Sequence, residues 1–518
     1  MILLNGSNLT LDALLAIADD YQTVGLAPDA AERVDSSRAV VDRQALGDTP
    51  IYGINTGFGA LAESAIARDS LGALQVNLLR SHAAGVGDPL PIRAVRASMA
   101  LRANVLAKGF SGIRRATLER LLDFLNHRVH PRVPSRGSVG ASGDLAPLAH
   151  LSLVLIGEGQ AWVGDSPTPV SGREALAAAG LTPVTLGPKE GLALINGTQP
   201  STAVAALAVA GADRLARAAD VAAALSIDGL RGSVRPFDPR IHAARPYPGQ
   251  IASAQNIYTL LADSAINKSH EHCGRVQDAY SLRCAAQVHG AAREALAFAR
   301  TLLLTEANAA TDNPMVFPNA SPDLDSKLNE EAGEIISGGN FHGAPVAIAA
   351  DVTVLALAQL ATISERRSDR LVNPALSDLP AFLTADSGLQ SGYMMAQVTA
   401  AALTSEIKTL AHPASVDTIP TSANREDHVS MSMGAALKAA QALELAIRVV
   451  AIELLCACQA IDLLAPLTTS PRLARVHAQL RNVVPPLTVD RPPAPDIDAI
   501  VQLIASGSLF ASIAAEVK

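Results

Sequence analysis

Gly137-Ser138-Val139-Gly140-Ala141-Ser142-Gly143-Asp144-Leu145-Ala146-Pro147-Leu148-Ala149-His150 sets Ala-Ser-Gly between a glycine and an aspartate and runs into an apolar stretch that continues to Ile156. Ala-Ser-Gly is one of the few tripeptides whose own backbone can become an electrophile. The Gly143 amide nitrogen can approach the Ala141 carbonyl only where no bulky side chain intervenes, and glycine at the attacking position removes that block. Ring closure, followed by loss of water from that carbonyl and from the Ser142 side chain, would leave an imidazolone with an exocyclic methylene. Read locally, the same glycines could simply punctuate a turn ahead of a helix. A serine-hydrolase elbow does not fit, because it needs Gly-x-Ser-x-Gly and here Gly143 follows Ser142 directly.

Outward from this loop, the chain of 518 residues is 49% hydrophobic, only 17% charged and 3% aromatic. Abundant alanine and few aromatics suit long helices packed through small side chains rather than a sheet-rich fold. The low charge predicts that apolar surface meets other subunits. A formal net charge of -8 without a basic stripe points away from nucleic acid and toward a small-molecule substrate. Four cysteines make no disulfide framework at this length, so a reducing, cytoplasmic setting is expected. The first residues lack the basic, apolar pattern of a signal peptide. Ala344 to Ile363 is the stretch closest to a membrane span, but Asp351 and Gln359 interrupt it, which predicts a buried core helix and no membrane partner.

To about Asn196, short apolar runs alternate with glycine-rich segments. From Thr202 long apolar stretches predict helices over 204–227, 286–305, 344–370, 392–410 and 433–464, and a short terminal helix over 497–504 follows Pro485-Pro486 and Pro492-Pro493. The fold class expected is mainly α: a central bundle of long antiparallel helices with a smaller mixed, loop-rich N-terminal region. The expected division is 1–195, carrying the tyrosine and Ala-Ser-Gly loops, 196–480 for the bundle, and 481–518 for the tail.

Several polar loops could carry chemistry. Tyr52 stands beside Gly53, Gly57 and Gly59, where a phenol could act as a base; no Gly-Lys-Ser/Thr ending makes this a phosphate loop. Asn196 looks like a helix start, where capping competes with binding a carbonyl or an amine. Gln277-Asp278-Ala279-Tyr280-Ser281-Leu282-Arg283 puts a phenol three residues before a guanidinium able to grip a carboxylate. Asn313-Pro314 and Gly338-Gly339-Asn340-Phe341-His342-Gly343 are further glycine-flanked loops. His270, His272 and Cys273 invite a metal reading, but the spacing fits neither a helical zinc pair nor a finger, so no metal site is expected.

Taken in order, these segments resemble the aromatic amino acid lyases that build a methylidene-imidazolone from an internal Ala-Ser-Gly. The resemblance spans Tyr52-Gly53 with Asn55 to Gly59, Ser81 to Gly87, Gly140 to Leu145, Asn196 to Gln199, Tyr280 to Cys284, Asp312 to Pro314, Gly338 to Gly343 and Glu426 to Met431. It implies a fumarase/aspartase-like helical fold, assembled as a homotetramer with shared active sites. It implies that Ala141, Ser142 and Gly143 form a 4-methylidene-imidazol-5-one with no external cofactor, with Asp144 and Phe341 assisting cyclisation. Tyr52 would remove the β-proton and Arg283 would hold the substrate carboxylate, with Asn196, Gln277, Tyr280 and Asn313 around the amine and the electrophile. His82 and Glu426 would line a polar side-chain pocket. That pocket implies elimination of ammonia from L-histidine to give trans-urocanate; tyrosine elimination or an aromatic 2,3-aminomutase is the alternative within the class. A helical scaffold without the chemistry is the alternative outside it. Arg425 and Ala279 depart from the histidine-acting pattern, in which glutamine and proline are usual.

Overall fold

A computed structural model describes residues 1–47, 49–57, 64, 66–271, 273–274, 276–318 and 333–517. Phe58, Gly59 and His272, part of motifs quoted above, lie outside these described residues. The chain is mainly helical, with short strands confined to two-stranded and three-stranded pairings. It gathers into two compact units. The first comprises Met1–Leu207, Arg300–Ala350 and Pro413–Leu437, and the second Ala208–Ala299, Asp351–His412 and Lys438–Lys518.

The helices that matter for the site are α1 (Leu71–His82), α2 (Ile92–Ala107), α3 (Leu145–Leu155) and α4 (Glu190–Ile195). The long ones are α5 (Gln199–Gly229), α6 (Ala285–Ala307), α7 (Ala344–Val372), α8 (Met394–Leu410) and α9 (Ser432–Leu463). Each long helix coincides with a stretch predicted from periodicity. The predicted terminal helix is also present, over Ala494–Ser506.

In the first unit, α2 is buried on every side from Ala94 to Ala107. It carries Arg96, Arg102 and Asn104 into the interior, and each cation is matched to backbone carbonyls. Arg96 donates to Ile17 O and Leu125 O, and Arg102 to Ala193 O and Asn196 O. Burying a guanidinium is tolerable only when its donors are met in this way. Burial still pulls both down to about 10, which leaves them charged at neutral pH.

The second unit packs its helices through small residues and closes its core with ion pairs. A side chain at Gly290 would meet Gln250 Cα at 2.5 Å, so glycine lets the two backbones approach. Arg367 pairs with Glu453 at 2.5 Å with both fully buried, and Ser226 Oγ donates to the same carboxylate. Asp220 is held by His289 at 2.7 Å and Arg293 at 2.6 Å. Burial alone would raise the Asp220 carboxyl, but Arg293 and His289 drive it far below the carboxylate range. These partners also explain α7: it is long and apolar enough to cross a membrane, yet Arg367 on it is fully buried against Glu453.

His130, in the buried strand Val129–Pro131, is 0% exposed and neither ring nitrogen has a hydrogen-bond partner. Burial, with Arg96 and Arg128 nearby, lowers it from 6.5 to about 4. The unfolded chain therefore binds the extra proton and the folded chain does not. The stability carried by the neutral ring is complete above pH 6.5 and is lost as pH falls toward 4. We expect His130→Phe to flatten the fall of the thermal midpoint across that window relative to the parent. An unchanged slope in a pH series of melting curves would show that His130 does not carry it.

Candidate active site

The Ala-Ser-Gly loop is fixed from three sides within the first unit. On one side Gly143 pairs with Gly197 as an isolated parallel bridge, and Asp144 N donates to Gly197 O at 2.8 Å. A Cβ at Gly143 would stand 2.3 Å from the Gly197 carbonyl carbon, and φ is +69°, so both contact and conformation demand glycine. On a second side Ser430 Oγ donates to Gly140 O at 2.8 Å and Met431 N donates to Val139 O at 2.8 Å. On the third, Gly343 N donates to Gly140 O at 3.2 Å.

Asp144 anchors the end of the loop. It is fully buried, and it accepts from Ser138 Oγ at 2.6 Å and from Ser201 N at 2.7 Å. Burial raises the Asp144 carboxyl, and the bonds from Ser138 and Ser201 work against that rise. The carboxylate thus bridges the loop to the first turn of α5.

The partner turn, residues 196–199, is shaped by Arg102. Its guanidinium donates to Ala193 O and Asn196 O, and to Gln199 Oε1 at 2.7 Å; Gln199 in turn donates to Thr311 Oγ1 at 2.6 Å. Asn196 ends α4 instead of starting a helix: the next helix begins three residues later at Gln199, and the Asn196 Oδ1 that would cap it accepts no hydrogen bond. The capping reading therefore fails. Its amide Nδ2 donates to Asn313 O at 2.7 Å while Oδ1 is buried with no partner. Asn313 Oδ1 accepts from Gly338 N at 2.8 Å.

These elements surround a cavity of 690 Å³ lined by Tyr52, His82, Ala141, Ser142, Asn196, Asn313, Phe341 and Glu426. Eight of the thirteen candidate residues thus converge on one space. Asp144 and Gly143 do not line the cavity: Asp144 is buried at the end of the loop and Gly143 rests against Gly197. Gln277, Tyr280 and Arg283 belong to the second unit. There Tyr280 is 70% exposed, and the Arg283 guanidinium lies 4.5 Å from the centre of its ring, as the three-residue spacing predicts.

His82, at the end of α1, has Nδ1 2.9 Å from Leu78 O. A carbonyl only accepts, so Nδ1 carries the proton and Nε2 is left as an acceptor. Burial lowers the His82 pKa, opposed by the Leu78 carbonyl and the Glu426 charge, which keeps the ring neutral at pH 7. Glu426 is met by two hydroxyls: Ser142 Oγ donates to Oε1 at 3.1 Å and Thr421 Oγ1 to Oε2 at 2.5 Å. Arg425 beside it is exposed. The sequence reading missed Arg102, Ser201 and Thr421, whose residue types carry no motif, and His428, whose ring stacks on His342 at 5.8 Å on the cavity wall. For a metal, the described residues offer no cluster of three ligating side chains, and Cys273 is exposed.

The tripeptide's close contact with Gly197 can be separated from its backbone angle. Gly164 shares a positive φ of +59° but has open space around it. Gly143→Ala is expected to lower the thermal midpoint well beyond Gly164→Ala, the difference being the clash with Gly197, on the order of 1–3 kcal/mol. Equal shifts in paired melting curves would reduce the constraint to φ alone.

The family model described as aromatic amino acid lyase matches residues 9–482. The chain is 56% identical over 515 residues to the histidine ammonia-lyase of Anaeromyxobacter sp. (strain K), covering 98% of this chain and 99% of that one. To the histidine ammonia-lyase of Myxococcus xanthus it is 54% identical over 99% of this chain and 98% of the other. Among solved structures, the histidine ammonia-lyase from Trypanosoma cruzi superposes with a TM-score of 0.91 at 43% identity, over 100% and 96% of the two chains. The tyrosine aminomutase from Streptomyces globisporus gives 0.91 at 37%, over 100% and 99%. A fixed Ala-Ser-Gly loop, a cavity around it that presents His82, Asn196 and Glu426, and matches that span nearly the whole chain agree: this protein is a carbon-nitrogen lyase and belongs to the aromatic amino acid lyase family.

Proposed function

We propose that the chain eliminates ammonia from L-histidine to give trans-urocanate, using a 4-methylidene-imidazol-5-one formed from Ala141, Ser142 and Gly143. The observation that carries the substrate is the pairing of Glu426 with the acceptor nitrogen of His82 in one cavity. Each can accept an imidazole N–H, whereas a plain phenyl ring would leave both unmatched. Near-full-length identity of 56% to a histidine ammonia-lyase supports the same reading.

The two departures from the histidine-acting pattern weigh little against it. Ala279 has φ -61°, the value that proline would impose, so alanine takes the backbone conformation that proline would hold before Tyr280. Both Glu426 oxygens are engaged by hydroxyls, which keeps the carboxylate directed at the loop.

The loop geometry fits a self-made prosthetic group, since Gly143 has no side chain where it leans on Gly197 and both flanks are pinned. Such a group supplies an electron sink that no ordinary side chain offers, making the amine a better leaving group. Tyr52 takes the proton from the substrate β-carbon. Asn196 Oδ1, buried and unpartnered, accepts from the amine, and Asn313 and Phe341 wall the same space. Arg283, whose Nε makes no hydrogen bond, holds the carboxylate in a bidentate fork. Gln277, Tyr280 and Arg283 reach the cavity from neighbouring copies in a cytoplasmic homotetramer, which agrees with the exposure of Tyr280 and the low charge content.

The decisive measurement is ammonia release from histidine, tyrosine and phenylalanine side by side, with urocanate followed by absorbance. Histidine is expected to turn over fastest, and Tyr52→Phe to lower that rate by about 10²–10⁴-fold. Preference for tyrosine, or a β-amino acid as product, would overturn the assignment. Shared sites predict that inactive Tyr52→Phe and Arg283→Ala chains regain partial activity when co-expressed. A mixture as inactive as its parts would place both residues in one chain's site.

A further inference from the structure

The hydroxyl that must leave when Ser142 is dehydrated already has a partner. Ser142 Oγ donates to Glu426 Oε1 at 3.1 Å across 284 residues of chain. The carboxylate is held there by unusual backbone. Ser422, Ala423 and Asn424 have φ of +52°, +52° and +66°, three successive non-glycine residues in the left-handed region. Each costs free energy, and such strain persists where surrounding structure over-determines it. What this turn achieves is to bring Thr421 beside Glu426. Thr421 N donates to Glu426 O at 3.0 Å, and Thr421 Oγ1 fixes Oε2.

Other acids near the loop are placed differently. Asp144 has both oxygens occupied by Ser138 and Ser201 and lies buried behind the backbone. His82 has its proton committed to Leu78 O. Glu426 is the carboxylate in hydrogen-bond contact with the leaving oxygen.

We propose that Glu426 is a catalytic residue of the chain's own maturation before it serves the substrate. In this step the carboxylate takes the Ser142 α-proton, and the electrons of that C–H bond become the Cα=Cβ double bond. The Cβ–Oγ bond breaks with its electrons going to oxygen. The proton now on Glu426 passes to Oγ, water leaves and the carboxylate is regenerated. The other water derives from the Ala141 carbonyl oxygen after attack by the Gly143 nitrogen, a separate step that Glu426 does not touch. The inference rests on the proposed reading of residues 141–143 and deepens it.

The test is intact-mass spectrometry of the full chain at intervals after cell-free synthesis, with helical circular dichroism recorded in parallel. The parent is expected to lose two waters. Glu426→Gln is expected to slow the second loss by about a hundredfold or more, so that natively helical chains lacking one water accumulate. Thr421→Val keeps the carboxylate but releases its second oxygen, and should show a smaller slowing; it decides the matter if Glu426→Gln does not reach the parent's helix content. Loss of both waters at the parent's rate in the folded variants would overturn the inference while leaving the proposed reaction intact. A parent that keeps both waters would instead overturn the proposed reaction.

Discussion

The site depends on one buried cation. Arg102 is 0% exposed on a helix with no solvent-facing side, and its donors converge on the carbonyls of Ala193 and Asn196 and on Gln199. A guanidinium is planar, so three acceptors spread over seven residues must conform to it rather than the reverse. That requirement forces the chain to leave α4 at Asn196 and re-enter helix at Gln199. It also forces residue 197 to be glycine, because a Cβ there would lie 2.3 Å from Arg102 Nη1. Gly197 then presents bare backbone, and Gly143 can lean on it only by being glycine as well. The tripeptide's geometry is thus set two contacts away, by a charge that touches none of its atoms.

Around this constraint the polar groups divide by what they can give up. Asp144 is anchored through both oxygens and is a strut: it bridges the loop from Ser138 to Ser201. Glu306 behind it is raised by burial despite the hydrogen bond from Thr198, and the Asp144 charge raises it further. Two carboxyls sharing one low-dielectric region cannot both ionise cheaply, and Asp144, with two donors, is the better placed to keep its charge. On the open side of the loop Glu426 and His82 have the opposite character. They are half-buried and line the cavity, so they meet what enters.

Much of this was legible in the chain, and the reasons differ by element. The long helices were readable because alanine-rich and leucine-rich periodicity over twenty or more residues leaves little alternative, and Gln199–Gly229 and Ser432–Leu463 lie within a few residues of the expected ranges. The convergence of Tyr52, His82, Ser142, Asn196 and Glu426 was legible only through resemblance, since no local spacing links residues hundreds apart. Asn196 misled because asparagine before a polar turn looks like a cap, while its true conformation is imposed by Arg102, ninety-four residues upstream. Arg102 itself was invisible: an arginine in Ala-Leu-Arg-Ala-Asn reads as a solvated position until α2 is seen to be buried all round. Thr421 gave no signal either, because its role exists only through a strained turn that propensity would not choose.

That turn bears on how one cavity would serve the two proposed reactions. A carboxylate that accepts from an entering side chain gains from being ordered before the ligand arrives, because the entropy of ordering it is then met by folding and not by binding. Here the ordering is complete in the linear chain, with Thr421 on one oxygen, Ser142 on the other and three left-handed residues between. In the proposed maturation, departure of the Ser142 hydroxyl as water takes the donor from Oε1 while Oε2 keeps Thr421. The carboxylate is then fixed in direction with one acceptor position open toward the space beside His82. Under the proposed reaction, an imidazole N–H entering that space would meet a group whose desolvation and ordering were met during folding, so its binding would not have to supply them. The same pin that aligns Glu426 with the leaving oxygen therefore accounts for a preorganised acceptor afterwards, and neither use requires the residue to move.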